Sequence, residues 1–295
     1  MALSIPVRPV PLPDPEELAR ELAALDVADD VEALTAVADQ FAALIEDPDL
    51  VVDALKRELR RYRDPRYAGR SISLPIARVD NVVIRANVWS PHRASAADYE
   101  REDDFTRYSV PHNHDFSFMT VGYSGPGYET EIYEYVGDPY DGEPGDDAQL
   151  TFLERTRLSR GKVMVYRKSS DAHVQFYPPK TSVSLNLIRV GREDPLRALY
   201  AFDLAERRIV EVVEHHVDAQ AALFEVVRWF PNPALAAGLE ELGRAHPHPK
   251  CRAFALRALG QCDPACRDDI VRIAEADGHE LVQAVAVELA NEHAS

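Results

Sequence analysis

The sequence has 295 residues, of which 33 are Lys or Arg and 50 are Asp or Glu, and its net charge of −17 argues against a broad surface for nucleic acid. Hydrophobic residues make up 46% and charged residues 28%, as in folded globular proteins, and no stretch approaches the roughly 18 consecutive apolar residues that span a membrane. The chain is long enough for one large domain or two ordinary ones.

The beginning of the chain has several prolines, one basic residue and no sustained apolar core, which is not the pattern of a secretory signal. The three cysteines, Cys251, Cys262 and Cys266, lie near the other end, and an odd number so placed does not suggest a disulfide framework. We therefore expect reduced thiols and residence in the cytoplasm.

Residues 1–68 are predicted to form an N-terminal helical segment. Apolar residues recur at steps of three and four over 14–26, 31–47 and 51–63. Asp14 followed by Pro15 has the pattern of a helix cap and a first-turn residue. A basic cluster in the third stretch is interpreted as a solvated or packing face rather than a docking site.

Residues 69–193 are predicted to form an all-β domain. Short runs rich in Val, Ile, Tyr, Phe and Thr alternate there with Gly, Pro and Asp. So many strands favour a sandwich or a barrel, because an open sheet of that size would leave long edges unpaired. The acidic segment 137–149 lacks the order of residues of a calcium loop and is interpreted as a solvated loop.

Residues 194–295 are predicted to form a C-terminal helical region of short helices separated by Pro, Gly and Asp. Residues 246–290 resemble one or two HEAT-type repeats, because the pattern at 253–258 recurs at 284–289. The resemblance implies a surface for a protein partner, and a generic helical appendage is the alternative. The region lacks a paired Cys-x-x-Cys, so five residues that could bind zinc are interpreted as packing residues: His246, His248, Cys251, Cys262 and Cys266.

The candidate metal ligands lie in the β region. His112 and His114 stand two apart at the start of an apolar and aromatic run, and residues so spaced on a strand project from the same face about 6.5–7 Å apart. Two such imidazoles can converge on one ion, whose nitrogen ligands lie at about 2.0–2.2 Å. His173, in a later β-type run, is the third candidate.

These histidines resemble the motifs of the cupin superfamily. In the first motif His-x-His is followed by a glutamate and then a glycine, and here the glycine is Gly125, while the glutamate position falls on Phe118 or Met119. The second motif pairs a glycine with a later histidine, as Gly161 and His173 do. The resemblance implies an α+β chain with a central antiparallel β-barrel, the double-stranded β-helix, flanked by the N-terminal helices and the C-terminal helical repeats.

A centre of three histidines is similar to that of the cysteine-dioxygenase-type thiol oxygenases. This resemblance implies Fe2+, dioxygen and a small or peptidyl substrate, while nickel, manganese, copper and zinc stay open. Three neutral imidazoles leave the charge of the ion uncompensated, which favours an anionic co-ligand. Glu129 or Glu131 is the alternative fourth ligand, if either side chain points inward.

Other residues near these motifs could take part in the reaction. Arg85 could bind a substrate carboxylate, or it could point outward from an alternating strand. Tyr123, Tyr166 and Tyr177 could donate hydrogen bonds at the centre or pack in the core. Asp171, two residues before the third histidine, could orient an imidazole.

The sequence therefore predicts a mononuclear non-haem metal oxygenase with His112, His114 and His173 as ligands. The predicted catalytic residues are Tyr123, Tyr177 and Arg85. Two alternatives stay open: a non-catalytic cupin-like binding module with a protein-docking helical region, and a metal-dependent isomerase or decarboxylase on the same barrel. Motifs for a phosphate loop, a dinucleotide fold or a nucleophile elbow are absent from the sequence.

Overall fold

The computed structural model describes residues 3–61, 73–91, 109–214, 217, 223–224, 226–227 and 229–292. The chain divides into two compact units. The first comprises Met1–Gly137, Glu143–Asp194 and Leu199–Val213, and the second comprises Asp138–Gly142, Pro195–Ala198 and Glu214–Ser295. The N-terminal helices therefore belong to the same unit as the strands that follow them.

Most of the described N-terminal part is helical, and it begins with a short strand, Leu3–Ile5. Its described α-helices are α1 (Pro15–Ala24), α2 (Asp30–Ala36), α3 (Ala38–Ala43) and α4 (Leu50–Arg61). Asp14 caps α1, because its Oδ1 accepts hydrogen bonds from the N–H groups of Glu16 at 2.9 Å and Glu17 at 3.0 Å. The predicted helix start at Asp14 is thus confirmed.

Six strands form one antiparallel sheet in the order β1-β7-β4-β9-β3-β2. They are β1 (Leu3–Ile5), β2 (Ser73–Val79), β3 (Val82–Trp89), β4 (Ser117–Ser124), β7 (Val163–Tyr166) and β9 (Ser182–Arg189). Because side chains alternate along a strand, one face of this sheet packs under the helices through residues such as Ile84, Met119 and Leu185.

A second antiparallel sheet has the order β6-β5-β8. Its strands are β5 (Glu129–Glu134), β6 (Thr151–Arg157) and β8 (Asp171–Phe176). The other face of the large sheet packs against this small sheet, since Ile132 of β5 shares a buried cluster with Trp89, Phe118 and Tyr166. The site described below lies between the two sheets.

The expectation of a closed β-barrel is wrong for the described strands, which form separate sheets. His112 lies between β8 and the later strand Leu199–Asp203. It forms only isolated bridges to them, with His173 and with Ala201. Pro111 precedes this residue, and proline has no N–H with which to continue a ladder. The fold is α+β, with two facing sheets instead of one closed barrel.

The chain becomes helical later than residue 194. A hairpin of β10 (Leu199–Asp203) and β11 (Arg208–Glu214) precedes the helices. Half of the residues in its two strands are β-branched or aromatic, and the turn between the strands includes Arg207 with a φ of 53°. The sequence prediction therefore placed the start of the helical region too early.

The second unit contains α5 (Ala236–Ala245), α6 (Pro249–Cys262), α7 (Arg267–Glu275) and α8 (Glu280–Glu292). Their apolar faces share one buried cluster that includes Leu256, Ile270 and Val285. The three cysteines are free thiols. The HEAT-type repeat stays a prediction. Among the described helices, none has the length and apolar character needed to cross a membrane.

Candidate metal centre

The segment that bears the first two histidines is held by backbone hydrogen bonds along β8. His112 N donates to His173 O at 2.9 Å, and His173 N donates to His112 O at 2.8 Å. Ser169 N donates to His114 O at 2.7 Å. On the other side of the segment, Asn113 Oδ1 accepts a hydrogen bond from Tyr200 N at 2.8 Å. These backbone hydrogen bonds therefore fix the main-chain positions from which the three imidazoles project.

The three imidazoles converge through their Nε2 atoms. His173 Nε2 lies 3.2 Å from His114 Nε2 and 3.3 Å from His112 Nε2. A ring nitrogen has one lone pair or one N–H in its plane, so His173 Nε2 cannot hydrogen-bond well to both neighbours. Two nitrogens bound at about 2.1 Å to one ion, at about 90–110° to each other, lie about 3.0–3.4 Å apart. The observed spacing fits a shared divalent cation.

The tautomer of His112 also suits a metal ligand. Its Nδ1 lies 2.8 Å from Val110 O, so Nδ1 carries the proton that it donates to this carbonyl and Nε2 keeps its lone pair. The ligating atoms of the three histidines all lie within 4.8 Å of one another. Within the described residues, no second group of three or more His, Cys, Asp or Glu has its ligand atoms this close together. The zinc candidates around Cys251 therefore do not form such a group.

Burial keeps two of the imidazoles neutral. It lowers the pKa of His114 well below 6.5, and the charges of His112 and Arg85 lower it further. Burial likewise lowers the pKa of His173, with smaller contributions from the other two histidines. Neutral imidazoles offer the lone pairs that a metal ion requires.

A cavity of about 150 Å³ adjoins the imidazoles. Its other lining residues are four aromatic and four polar ones: Trp89, Phe116, Phe118, Tyr128, Arg85, Asn87, Gln175 and Asn186. Trp89 is held in place because its Nε1 donates to Ser184 Oγ at 2.9 Å. Asn186 Oδ1 accepts a hydrogen bond from Thr120 Oγ1 at 2.9 Å.

Apart from Nδ1 of the candidate ligand His114, three buried polar atoms on residues of the cavity wall have no hydrogen-bond partner within the part of the chain that the structure describes. They are Arg85 Nε, Asn87 Oδ1 and Gln175 Oε1. Buried polar groups in folded proteins are normally hydrogen-bonded, so each such atom calls for an explanation. Their common position on one cavity next to the histidines makes this wall a candidate site for ordered water or a polar ligand.

Of the three predicted catalytic residues, the structure brings Arg85 to the cavity. Burial lowers the pKa of its guanidinium. Tyr123 lies on the helix side of β4, where its hydroxyl donates to Asp47 O at 2.6 Å. Tyr177 packs at the border of the buried cluster between the sheets and does not line the cavity. Proximity in sequence failed for Tyr123 because alternate residues of a strand face opposite sides. It failed for Tyr177 because this residue lies beyond the end of β8 at Phe176.

Tyr166 lies against the centre without lining the cavity. Its ring centroid is 4.7 Å from that of His173 at an interplanar angle of 73°, and it stacks on Phe118 at 4.7 Å. Burial raises the pKa of its hydroxyl well above 10. Tyr166 therefore keeps its hydroxyl proton, and its ring packs against the imidazole of His173.

The alternative carboxylate ligands point away from the centre. In the β5–β8 pairing Ile132 lies opposite His173, so Glu129 and Glu131 project from the other face of the small sheet. Glu129 accepts hydrogen bonds from Arg155 and Arg157, each at 2.7 Å. The hypothesis that either glutamate completes the centre is wrong in this arrangement.

The proposed orienting residue, Asp171, bonds to a neighbouring arginine. Its Oδ2 accepts from Arg167 N at 2.7 Å, and its Oδ1 accepts from Arg167 Nη2 at 2.7 Å. These contacts hold the turn that leads into β8.

Three polar residues of the cavity, Asn87, Gln175 and Asn186, were not predicted from the sequence. Gln175 stands two after His173 on β8, and its Nε2 lies 3.1 Å from His173 Nε2. Asn87 stands two after Arg85 on β3. Both could have been found, because the step of two that paired the first histidines also places these residues on the same face.

Comparison with known proteins finds resemblance only among solved structures. No protein-family model matches the chain, and a search among curated proteins finds no match. A salicylate 1,2-dioxygenase from Pseudaminobacter salicylatoxidans superposes with a TM-score of 0.30 at 10% identity, over 52% of this chain and 37% of that chain. A hydroquinone 1,2-dioxygenase from Sphingomonas sp. TTNP3 gives 0.28 at 12% identity, over 42% and 68%. The DMSP lyase DddQ from Ruegeria pomeroyi gives 0.27 at 12%, over 65% and 79%.

Proposed function

We propose that this protein is a mononuclear, metal-dependent oxygenase of the cupin type. The observation that carries the proposal is the convergence of the three Nε2 atoms, with separations of 3.2 and 3.3 Å from His173 to the other two. His112, His114 and His173 would hold one divalent ion. Fe2+ is the proposed metal, because imidazole sites with open positions suit it.

The glycines of the cupin resemblance support this proposal. Gly125 and Gly161 have φ values of +82° and +80°, a backbone conformation that side-chain-bearing residues rarely adopt. A Cβ at Gly125 would also lie 2.5 Å from Thr181 O. Both glycines therefore serve tight turns next to the strands that bear or contact the histidines.

When bound, ferrous iron would supply the redox chemistry that activates dioxygen. The chain itself supplies binding and shielding. Arg85, the cationic side chain of the cavity wall, binds a substrate carboxylate. Trp89, Phe118 and Tyr128 exclude bulk water from the space beside the imidazoles.

The size of the cavity favours a small substrate. Its volume of about 150 Å³ lies below the roughly 300–1,000 Å³ of pockets that hold drug-sized ligands. A whole peptide does not fit such a space. We therefore propose a small-molecule acid rather than a peptidyl substrate.

The test is a metal analysis of the purified protein followed by oxygen-electrode measurements. Wild type loaded with Fe2+ should hold about one ion per chain, and His112→Ala and His114→Ala should each lose it. His279→Ala, whose ring bonds to Asp138 in the second unit, is the matched control and should keep the ion. A folded wild type without stoichiometric metal would favour the non-catalytic binding module. Substrate turnover without oxygen consumption would favour the isomerase or decarboxylase.

A further inference from the structure

Besides Nδ1 of the candidate ligand His114, the unpartnered atoms of the cavity wall form a defined pattern. Arg85 Nε is a donor, whereas Asn87 Oδ1 and Gln175 Oε1 are acceptors. Arg85 and Asn87 project from β3 of the large sheet, and Gln175 projects from β8 of the small sheet. The cavity thus presents one cationic donor together with two neutral acceptors that come from opposite sheets.

We infer that the ligand of this cavity is a small carboxylate that also bears a hydroxyl or amino donor beside the carboxylate, and that Asn87 and Gln175 select for this donor. The inference rests on the proposed function in one respect, namely that the cavity beside the histidines is the substrate site. It goes further by naming the chemical class that the site accepts.

The charge of the site requires an anion. None of the described residues that line the cavity carries a carboxylate, so the guanidinium of Arg85 has no counter-charge there. A buried guanidinium needs an anionic partner, and its fork of donors matches the two oxygens of a carboxylate. The ligand therefore brings the negative charge.

The two carbonyl oxygens require a donor. Gln175 is 6% exposed, so water in bulk does not solvate its amide. Its Nε2 faces the ring of His173, at 3.1 Å from Nε2 and 3.4 Å from Nδ1, which leaves Oε1 as the atom without a partner. A simple carboxylate would satisfy Arg85 and leave both acceptors unpaired, whereas a hydroxy or amino acid satisfies all three.

The experiment compares four probes of similar size with the protein loaded with redox-inert Zn2+. Propionate has a carboxylate alone, lactamide has a hydroxyl without a carboxylate, and lactate and alanine combine a carboxylate with a hydroxyl or an ammonium group. Dissociation constants are measured by saturation-transfer NMR titration. We expect lactate or alanine to bind at least about tenfold more tightly than propionate and lactamide, since a buried acceptor left unpaired is costly. The lactate and alanine arms distinguish the two donors.

Variants of matched shape test the assignment to residues. Asn87→Leu and Gln175→Met should bring lactate and alanine to within about twofold of propionate, because the acceptors are removed. Arg85→Met should weaken all three acids and leave lactamide unchanged. Asn81→Leu, at an exposed turn where Asn81 Nδ2 donates to Val190 O, is the control and should keep the selectivity. Circular dichroism verifies that each variant is folded.

Two outcomes would overturn the inference. One is equal binding of propionate, lactate and alanine by the wild type, and the other is selectivity that survives in both the Asn87 and the Gln175 variant. Zinc content is measured in the same samples, so this inference and the proposed function fail separately. Stoichiometric zinc without selectivity overturns only the inference. Selectivity in a protein that binds no metal supports the inference and overturns the proposed metal centre.

Discussion

His112 and His173, which are 61 positions apart in the sequence, exchange both backbone hydrogen bonds and bring their Nε2 atoms to 3.3 Å. The separation of these two candidate ligands is therefore set by a β-bridge between two backbone segments. Ligand residues whose backbones are hydrogen-bonded to each other need little reorganisation to bind an ion, because only their side-chain torsions remain to adjust.

The stability of the metal-free protein should fall as the pH is lowered from about 6.5. The pKa values of His114 and His173 are lowered in the folded state, so the unfolded chain binds more protons below the ordinary value of 6.5. The stabilisation is complete above that pH and is lost as the pH falls toward the depressed values. Denaturant titrations in chelator should show a slope of up to about 1.4 kcal/mol per pH unit for each proton. An unchanged slope in His114→Gln/His173→Gln would contradict this origin.

A carboxylate introduced at Phe118 should strengthen metal binding. The ring centroid of Phe118 lies 4.9 Å from that of His114 and 6.1 Å from that of His173. Phe118→Glu would place an anionic oxygen ligand beside neutral imidazoles, so the affinity for a divalent ion should rise by about tenfold or more. Competition with a chromophoric chelator measures this change. An affinity at or below that of the wild type would count against the assignment of position 118 to the centre.

Met119→Glu is the contrasting variant. Met119 is fully buried on the helix side of β4. A glutamate there has no ion to bind and loses its hydration, so it should destabilise the fold by several kcal/mol without raising metal affinity. Thermal melts with and without added metal distinguish the two variants, since only Phe118→Glu should be restored by the ion.

Lys168 should be important for the stability of the first unit. Its Nζ lies 2.7 Å from Asp30 Oδ2 and 2.5 Å from Asp194 Oδ1, and the side chains of these aspartates are 8% and 2% exposed. Lys168→Met removes the cation from between two buried carboxylates, which should lower the free energy of unfolding by about 3 kcal/mol. Lys56→Met breaks an exposed pair with Asp53 and should have little effect. Chemical denaturation compares the two variants.

Tyr123→Phe should leave the metal content and any turnover unchanged. The hydroxyl of Tyr123 donates to Asp47 O on the helix side of the sheet, away from the cavity. Loss of this hydrogen bond should cost about 1 kcal/mol of stability. Metal analysis and a thermal melt of the same sample test both statements, and a loss of bound metal would return Tyr123 to the list of candidate site residues.

Features that depend on neighbouring residues could be predicted from the sequence. The Asp14 cap needs only an oxygen acceptor before the first helical turn, and Gly125 is recognised because few other residues adopt its positive φ. Short runs rich in Val, Ile, Tyr, Phe and Thr, broken by Gly, Pro and Asp, predicted the strands. The spacing of His112 and His114 predicted that these two imidazoles converge, because a step of two on extended chain keeps the same face.

The tertiary structure decided which faces meet. Position 118 faces the histidines and position 119 faces the helices, although the motif spacing allowed either. Glu131 turned outward for the same reason, and Gln175 joined Asn87 on one cavity only because two sheets pack face to face. Local preferences specify an element and its alternation, whereas strand register and sheet packing depend on contacts between residues far apart in the chain, whose energies a single sequence does not reveal.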